Sequence, residues 1–160
     1  MSILADPRLR LAAPVAAAVL LVDQTTKAIV AGAMTLHQSI DLTPVAALTY
    51  ERNTGAAFSM LAAAPPALRF WLFVVVTLFA IGVLVSYLRR AAPDERWLVT
   101  ALGAILGGAL GNLVCRVRYG EVIDFVDLHW GGLHWPVFNV ADSAITVGVA
   151  IVLVHSLRAR

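Results

Sequence analysis

The chain has 160 residues, 60% of them hydrophobic and only 14% charged, with a mean hydropathy of +0.83. Soluble domains run near half apolar and a quarter charged, so an ordinary soluble globular domain is excluded and an integral membrane protein of about four spanning helices is indicated. The net charge of +2 rests on 12 basic residues with Lys27 the only lysine, and the single cysteine, Cys115, excludes an internal disulfide or a cysteine-based zinc framework. In a membrane protein that positive balance reads as arginine-rich loops beside anionic lipid rather than as a nucleic-acid surface.

The first apolar segment runs from Leu11 to Met34 and is interrupted by Asp23-Gln24-Thr25-Thr26-Lys27. Arg8, Arg10 and the run Leu11 to Val22 resemble a secretory signal peptide, with Ala31-Gly32-Ala33 as a cleavage site. Charged Asp23 and Lys27 between core and site argue for a retained first helix instead. They are an i, i+4 pair with the acid first, the favourable order, about 18 Å along the helix from Leu11 at 1.5 Å per residue. A structural ion pair and a functional site both account for them.

The connection from His37 to Pro66 is not a simple loop. Val45 to Tyr50 reads as strand, Arg52-Asn53-Thr54-Gly55 as a turn, and Ala56 to Leu61 as apolar again, so a small sheet-like element is expected on one face of the helices. The second span, Ala67 to Leu88, carries only Arg69.

The third span, Trp97 to Val117, shows two ridges at i, i+4 spacing. Gly103, Gly107, Gly111 and Cys115 form a small-residue surface for close packing against another helix. Ala104, Gly108, Asn112 and Arg116 form the adjacent ridge. Its amide and guanidinium require partners in the bundle, unless Arg116 snorkels to headgroups.

The next connection holds Glu121, Asp124 and Asp127 and leads to Asp142 at the head of the fourth span, Ala141 to Leu157. Asp142 alone reads as a helix cap. Asp124, enclosed by Val122, Ile123, Phe125 and Val126, reads as a buried carboxyl. Two carboxylates brought together at low dielectric share a proton, so that one is a base able to activate water and the other an acid. His129 and His134, five apart with no HExxH spacing, are a weak metal signal; Cys115 reads as packing, and Ser143 has no GxSxG elbow.

Basic residues set the orientation. Arg8, Arg10, Arg89, Arg90, Arg96, Arg158 and Arg160 fall on one side of four spans, which the positive-inside rule makes cytoplasmic. Six of the ten acids, Asp41, Glu51, Glu121, Asp124, Asp127 and Asp142, fall on the other, with Trp71, Trp130 and Trp135 as interface anchors there. A proton-coupled carrier would place its ionisable groups near the midplane in repeated halves. A purely structural assembly protein would need the glycine ridge but not the acids, Asn112 and Arg116.

Five motifs together carry a resemblance: VDQTTK (Val22 to Lys27), RNTGAAF (Arg52 to Phe58), GGALGNLVCR (Gly107 to Arg116), VIDF (Val122 to Phe125) and FNVADSAI (Phe138 to Ile145). The chain resembles the lipoprotein signal peptidase (signal peptidase II) family of bacterial membrane aspartic peptidases. The resemblance implies an all-α membrane protein, one domain over residues 1–160. Its four transmembrane helices span about 11–34, 67–88, 97–117 and 141–157, with a small extracytoplasmic β-cradle between helices 1 and 2. It implies a multi-pass protein of the bacterial inner membrane, both termini cytoplasmic, that removes the signal peptide of diacylglyceryl-modified prolipoproteins before the lipidated cysteine.

By this resemblance Asp124 and Asp142 are the catalytic pair. Asp23, Lys27, Asn53, Gly55, Gly108, Asn112, Arg116, Asn139 and Ala141 support the pair or bind substrate. The expected partners are the prolipoprotein and membrane lipid; a monomer is expected, with no nucleic acid, cofactor or metal. One position departs: the family usually reads GNxxDR, and here Cys115 replaces the acid, leaving Asp127 or Asp23 as candidates to orient Arg116. Helix two contributes no motif and reads as structural wall.

Overall fold

The computed structural model describes residues 6–55 and 64–158, so the apolar run Ala56 to Leu61 and Arg160 lie outside the described residues. The elements are α1 (Pro7–Ala33), β1 (Ser39–Thr43), β2 (Ala46–Asn53), α2 (Pro66–Arg90), α3 (Arg96–Tyr119), β3 (Val122–Trp130), β4 (Leu133–His134) and α4 (Val140–Arg158). All four helices are long and apolar enough to cross a membrane. Their outward faces carry large exposed apolar residues such as Leu21, Phe79, Val83 and Leu153. Apolar surface on this scale belongs against hydrocarbon rather than water.

Local chemistry sets several of the boundaries. Asp6 caps α1 by accepting a bond from the backbone N–H of Arg8, and Pro7 takes the first helical position, where its missing N–H costs nothing. Gly120 ends α3 in the left-handed conformation, at φ 76°, which turns the chain directly into β3.

α3 is the central helix and the most buried, packed between α1 and α4. Its small residues explain the closeness. A Cβ added at Gly103 would lie 2.7 Å from the Ala12 carbonyl oxygen, at Gly107 2.6 Å from that of Ala16, and at Gly108 2.5 Å from that of Ala141. The ridge of Gly103 and Gly107 therefore faces α1, and Gly108 faces α4. In lipid, where apolar surface gains little by leaving the solvent, such close backbone packing is a main source of helix association.

The four strands form one antiparallel sheet in the order β1-β2-β3-β4. The expected cradle between helices 1 and 2 is thus only half of it: β3 and β4 come from the connection between α3 and α4. The sequence signal for β3 is the apolar run VIDFV, which reads equally well as the surroundings of a buried acid. A register shift between Leu48 and Glu51 re-aligns β2 so that Glu51 pairs with Asp124 and Asn53 with Val122.

The sheet lies at the end of the bundle where α1 and α3 finish. There Val30, Tyr50, Ile123 and Phe125 form one apolar cluster, with Val140 against it. A second cluster, Ala12, Leu88, Ala91, Leu98, Val99, Leu102 and Leu106, closes the other end. At that far end Arg8 donates to the Arg89 carbonyl, and His155 meets Glu95 at 2.9 Å. Trp71, Trp130 and Trp135 are all exposed at the sheet end, while Trp97 is exposed at the start of α3, so aromatic residues mark both ends.

Gly107→Val should lower the thermal midpoint of the detergent-solubilised protein, by the equivalent of about 1–3 kcal/mol for an overpacked contact. Gly82 has nothing within 4 Å of an added Cβ, and Gly82→Ala should leave the midpoint unchanged or raised. Equal effects of the two substitutions would contradict the packing described.

Candidate active site

Between the two apolar clusters lies a connected set of buried polar side chains. Lys27 and Asp23 on α1 are almost fully buried, as are Asn112 on α3, Asp124 on β3 and Asn139 before α4. Buried charge is tolerated only when paired and hydrogen-bonded, and here the pairing can be followed atom by atom.

Lys27 Nζ donates to Asp23 Oδ2 at 2.9 Å and to Asn112 Oδ1 at 2.8 Å. Asp23 Oδ1 accepts the backbone N–H of Ala141 at 3.0 Å, near the start of α4. Gln24 Nε2 donates to Asp23 Oδ2 at 2.9 Å and to the Gly111 carbonyl at 3.0 Å. Three helices are joined by one ion pair.

Asn112 and Asn139 carry the network to the carboxylates. Asn112 Nδ2 donates to Asp142 Oδ1 at 2.8 Å. Asn139 Nδ2 donates to Asp124 Oδ1 at 2.6 Å and to Asn112 Oδ1 at 3.2 Å. Asn53, at the end of β2, donates from Nδ2 to Asp124 Oδ2 at 2.9 Å, while its Oδ1 accepts the backbone N–H of Gly55 at 2.8 Å.

The cap of α4 differs from the sequence expectation. The N-cap is Asn139, whose Oδ1 accepts the Asp142 N–H at 3.0 Å; Asp142 Oδ2 reaches back to the Asn139 N–H at 3.1 Å. This is a reciprocal capping box with Asp142 at its third position. The residue that caps the helix is also the residue that binds Asp124. Its placement comes from Phe138, whose carbonyl accepts the N–H groups of Phe125 and Val126 and whose N–H donates to the Val126 carbonyl.

The two carboxylates stand in different surroundings. Asp124 is 2% exposed, and burial lifts its carboxyl from the ordinary 3.8 to about 6; the Asn53 bond opposes the rise, the Asp142 charge adds to it, and Asn139 and Lys27 oppose it. Asp142 sits half-buried in the first turn of α4.

Arg116 is half-buried, with its guanidinium over the Phe73 ring at 5.1 Å, and its charge acts on both Asp142 and Asp124. Neither Asp127 nor Asp23 orients it. Asp127 bonds Thr49 and His134, and Asp23 is spent on Lys27, Gln24 and the Ala141 N–H. Cys115 is buried at 1% exposure and packs as a small apolar residue.

α2 is therefore more than a wall: Phe73 lies beneath Arg116 and against Gly55, and Arg69 donates to Thr54 at 3.2 Å. Arg69, the lone charge in that span, was the available signal. Phe73 carried none, since one phenylalanine in an apolar helix is indistinguishable from its neighbours. Gln24 lies between Asp23 and Lys27, whose charges dominate that stretch of sequence. Of the other candidates, Gly55 turns at φ 85° beside Asn53, while Gly108 and Ala141 meet at the α3–α4 contact.

Chemically, two carboxylates held by a linked pair of amides, Asn139 on Asp124 and Asn112 on Asp142, stand at the sheet end of four membrane-type helices, an arrangement with the groups that acid–base chemistry needs. The profile of the family described as Signal peptidase (SPase) II matches residues 15–158. The lipoprotein signal peptidase of Geobacter sulfurreducens is 48% identical over 140 residues, covering 87% of this chain and 86% of that protein. That of Geobacillus kaustophilus is 45% identical over 142 residues (88% and 89%), and that of Pseudomonas putida 43% over 144 residues (89% and 84%). A bacterial membrane enzyme solved by the in meso method at 2.3 Å superposes with a TM-score of 0.81 at 32% identity, covering 92% of this chain and 87% of that one. The chain belongs to the signal peptidase II family, and it is a multi-pass membrane peptidase.

Lys27→Met should destabilise the detergent-solubilised protein by about 3–5 kcal/mol, because it leaves Asp23 buried without its cation. Adding Asp23→Leu should restore part of the loss but not all, since the Ala141 N–H then has no acceptor. A thermal or denaturant melt reads both, and a full recovery would show that the Asp23–Ala141 bond contributes nothing.

Proposed function

We propose that this chain, acting as one peptidase domain, hydrolyses the peptide bond before the lipidated cysteine of diacylglyceryl-modified prolipoproteins, with a water activated between Asp124 and Asp142. The observation that carries the proposal is Asn139, which binds Asp124 with its amide nitrogen and Asp142 with its amide oxygen and backbone N–H. One residue thus sets the relation of the two carboxylates, its side-chain amide bonding that of Asp124 and its backbone N–H that of Asp142.

In this reading the pair holds a single proton. The ionised member takes a proton from water as it attacks the scissile carbonyl; the protonated member supports the developing oxyanion and then protonates the leaving amine. No covalent intermediate forms. Arg116, poised over Phe73 near both carboxylates, is the donor for a substrate carbonyl or lipid phosphate, being always charged and rich in N–H groups. Asn53 and the Gly55 turn bound the peptide's path where β2 meets Asp124. The diacylglyceryl chains stay in lipid beside the bundle.

Orientation follows from charge. Arg8, Arg10, Arg89, Arg90, Arg96 and Arg158 gather at the end opposite the sheet, which the positive-inside rule assigns to the cytoplasm. The sheet and the carboxylate pair then face outward, where signal peptides are cut, and both termini are cytoplasmic.

Purified protein in detergent should cleave a diacylglyceryl-modified prolipoprotein. Folded Asp124→Asn and Asp142→Asn variants should each lose at least ~100-fold in kcat, the usual scale of a lost acid–base group. Asparagine keeps the shape and one of the two acceptor oxygens, so retained cleavage in either folded variant would return that residue to a structural role.

The pH dependence has a definite sign. A carboxyl raised to about 6 keeps its proton until the pH rises through that value, above which Asp124 is ionised and that proton is lost from the pair. The profile of kcat/KM, which reports the free enzyme, should therefore fall with an inflection near pH 6. Asn53→Ala removes a bond that favours the ionised form and should move that inflection to higher pH; a move downward would contradict the assignment.

A further inference from the structure

At the sheet end, apart from the carboxylate pair, β3 and β4 build a second polar cluster. Asp127, His129 and His134 each bring one potential ligand atom, and these atoms lie within 4.8 Å of one another. The five-residue separation of the histidines hid the arrangement in the sequence. Gly131 and Gly132 close the hairpin with both φ values positive, 54° and 84°, as a two-residue turn of the I′ kind requires. That turn sets His129 directly opposite His134 in the antiparallel register, with ring centroids 5.1 Å apart. Asp127 lies two residues before His129 and so on the same face of β3, whereas its odd spacing from Asp124 turns it away from the catalytic pair.

From these residues we propose a binding site for a divalent transition-metal ion of the borderline class, Zn2+ above all, that staples the β3–β4 hairpin. The donor set is two imidazoles and one carboxylate, which suits such ions and is poor for Ca2+ or Mg2+, whose preference is for oxygen. The spacing also fits. Ligand atoms around a tetrahedral zinc stand about 3.4 Å apart when each bond is about 2.0–2.1 Å. His134 Nδ1 is 3.0 Å and His129 Nδ1 3.7 Å from Asp127 Oδ1, so small side-chain rotations open the space for an ion.

Two further observations separate this site from an ordinary histidine–carboxylate hydrogen bond. His129 Nδ1 is buried and has no hydrogen-bond partner among the described residues. A proton shared between His134 and Asp127 leaves that nitrogen unsatisfied, whereas a coordinated ion engages all three groups. The carboxylate is also held from behind: Thr49 Oγ1 donates to Asp127 Oδ2 at 3.2 Å, and Thr49 is itself bonded to Ser39 Oγ at 2.7 Å. Orientation of a ligand by such an outer partner is characteristic of working metal sites. Three protein ligands leave a fourth position for water or an external group.

The test is metal binding by the full-length protein in detergent, stripped with a chelator. Co2+ is titrated while its visible ligand-field absorption is followed, and Zn2+ is then added in competition. The expected result is saturable uptake of one ion per chain with tetrahedral absorption, displaced by Zn2+. His129→Ala and His134→Ala, each checked for folding by circular dichroism, should weaken binding at least ~10-fold. Asp127→Asn should do the same while keeping an acceptor for Thr49, and His37→Ala, in the exposed pair with Glu51, should bind as wild type. Absence of saturable binding in wild type would overturn the proposal, as would wild-type affinity in both histidine variants or loss of binding in His37→Ala.

Discussion

A lysine ammonium and an aspartate inside a helical bundle at membrane depth have no water to turn to, and the structure is organised around that constraint. Lys27 and Asp23 must be partnered from other helices. The partners are Asn112 on α3 and the backbone of α4 at Ala141, so satisfying one ion pair fixes the register of three helices at once. Apolar packing in lipid specifies register weakly because every apolar surface resembles the solvent around it. Polar groups that cost several kcal/mol when unpaired specify it strongly.

The glycines of α3 and this polar network are two parts of one arrangement. Gly103, Gly107 and Gly108 let the α1 and α4 backbones come close enough for short side chains to bridge between helices. Without that approach Asn112 could not touch Lys27 and Asp142 together. The network in turn keeps the helices from sliding along a ridge that offers the same small-residue contact at every turn.

The sheet contributes the second fixed point. β3 carries Asp124, and its bonds to Phe138 set down the start of α4 beside it, so that the cap residue Asn139 reaches back to the strand. Capping a helix and holding a buried carboxyl are usually separate tasks. Here Asn139 performs both, which ties the geometry of the acid pair to the stability of a helix end. Arg116 illustrates a different economy: with Cys115 beside it rather than an acid, its guanidinium rests on the Phe73 ring.

Much of this was legible in the sequence, and the reasons are local. Long apolar runs dictate spanning helices, arginine distribution distinguishes the two ends of the bundle, and i, i+4 spacing places Asp23 with Lys27 and Asn112 with Arg116. The acids Asp124 and Asp142 stood out because charge is scarce in such a chain. What the sequence left open depends on which elements meet. The β3 strand was concealed by its own buried acid, since alternation cannot be read when both faces are covered. The exchange of roles between Asn139 and Asp142 at the α4 cap, the seat of Arg116 on Phe73, and the meeting of Asp127, His129 and His134 across a two-glycine turn all join residues whose separation along the chain carries no periodic signal. Composition and spacing determined the membrane class and singled out the candidate acids; only the tertiary structure decided their partners, because a hydrogen bond depends on position in space and not on distance along the chain.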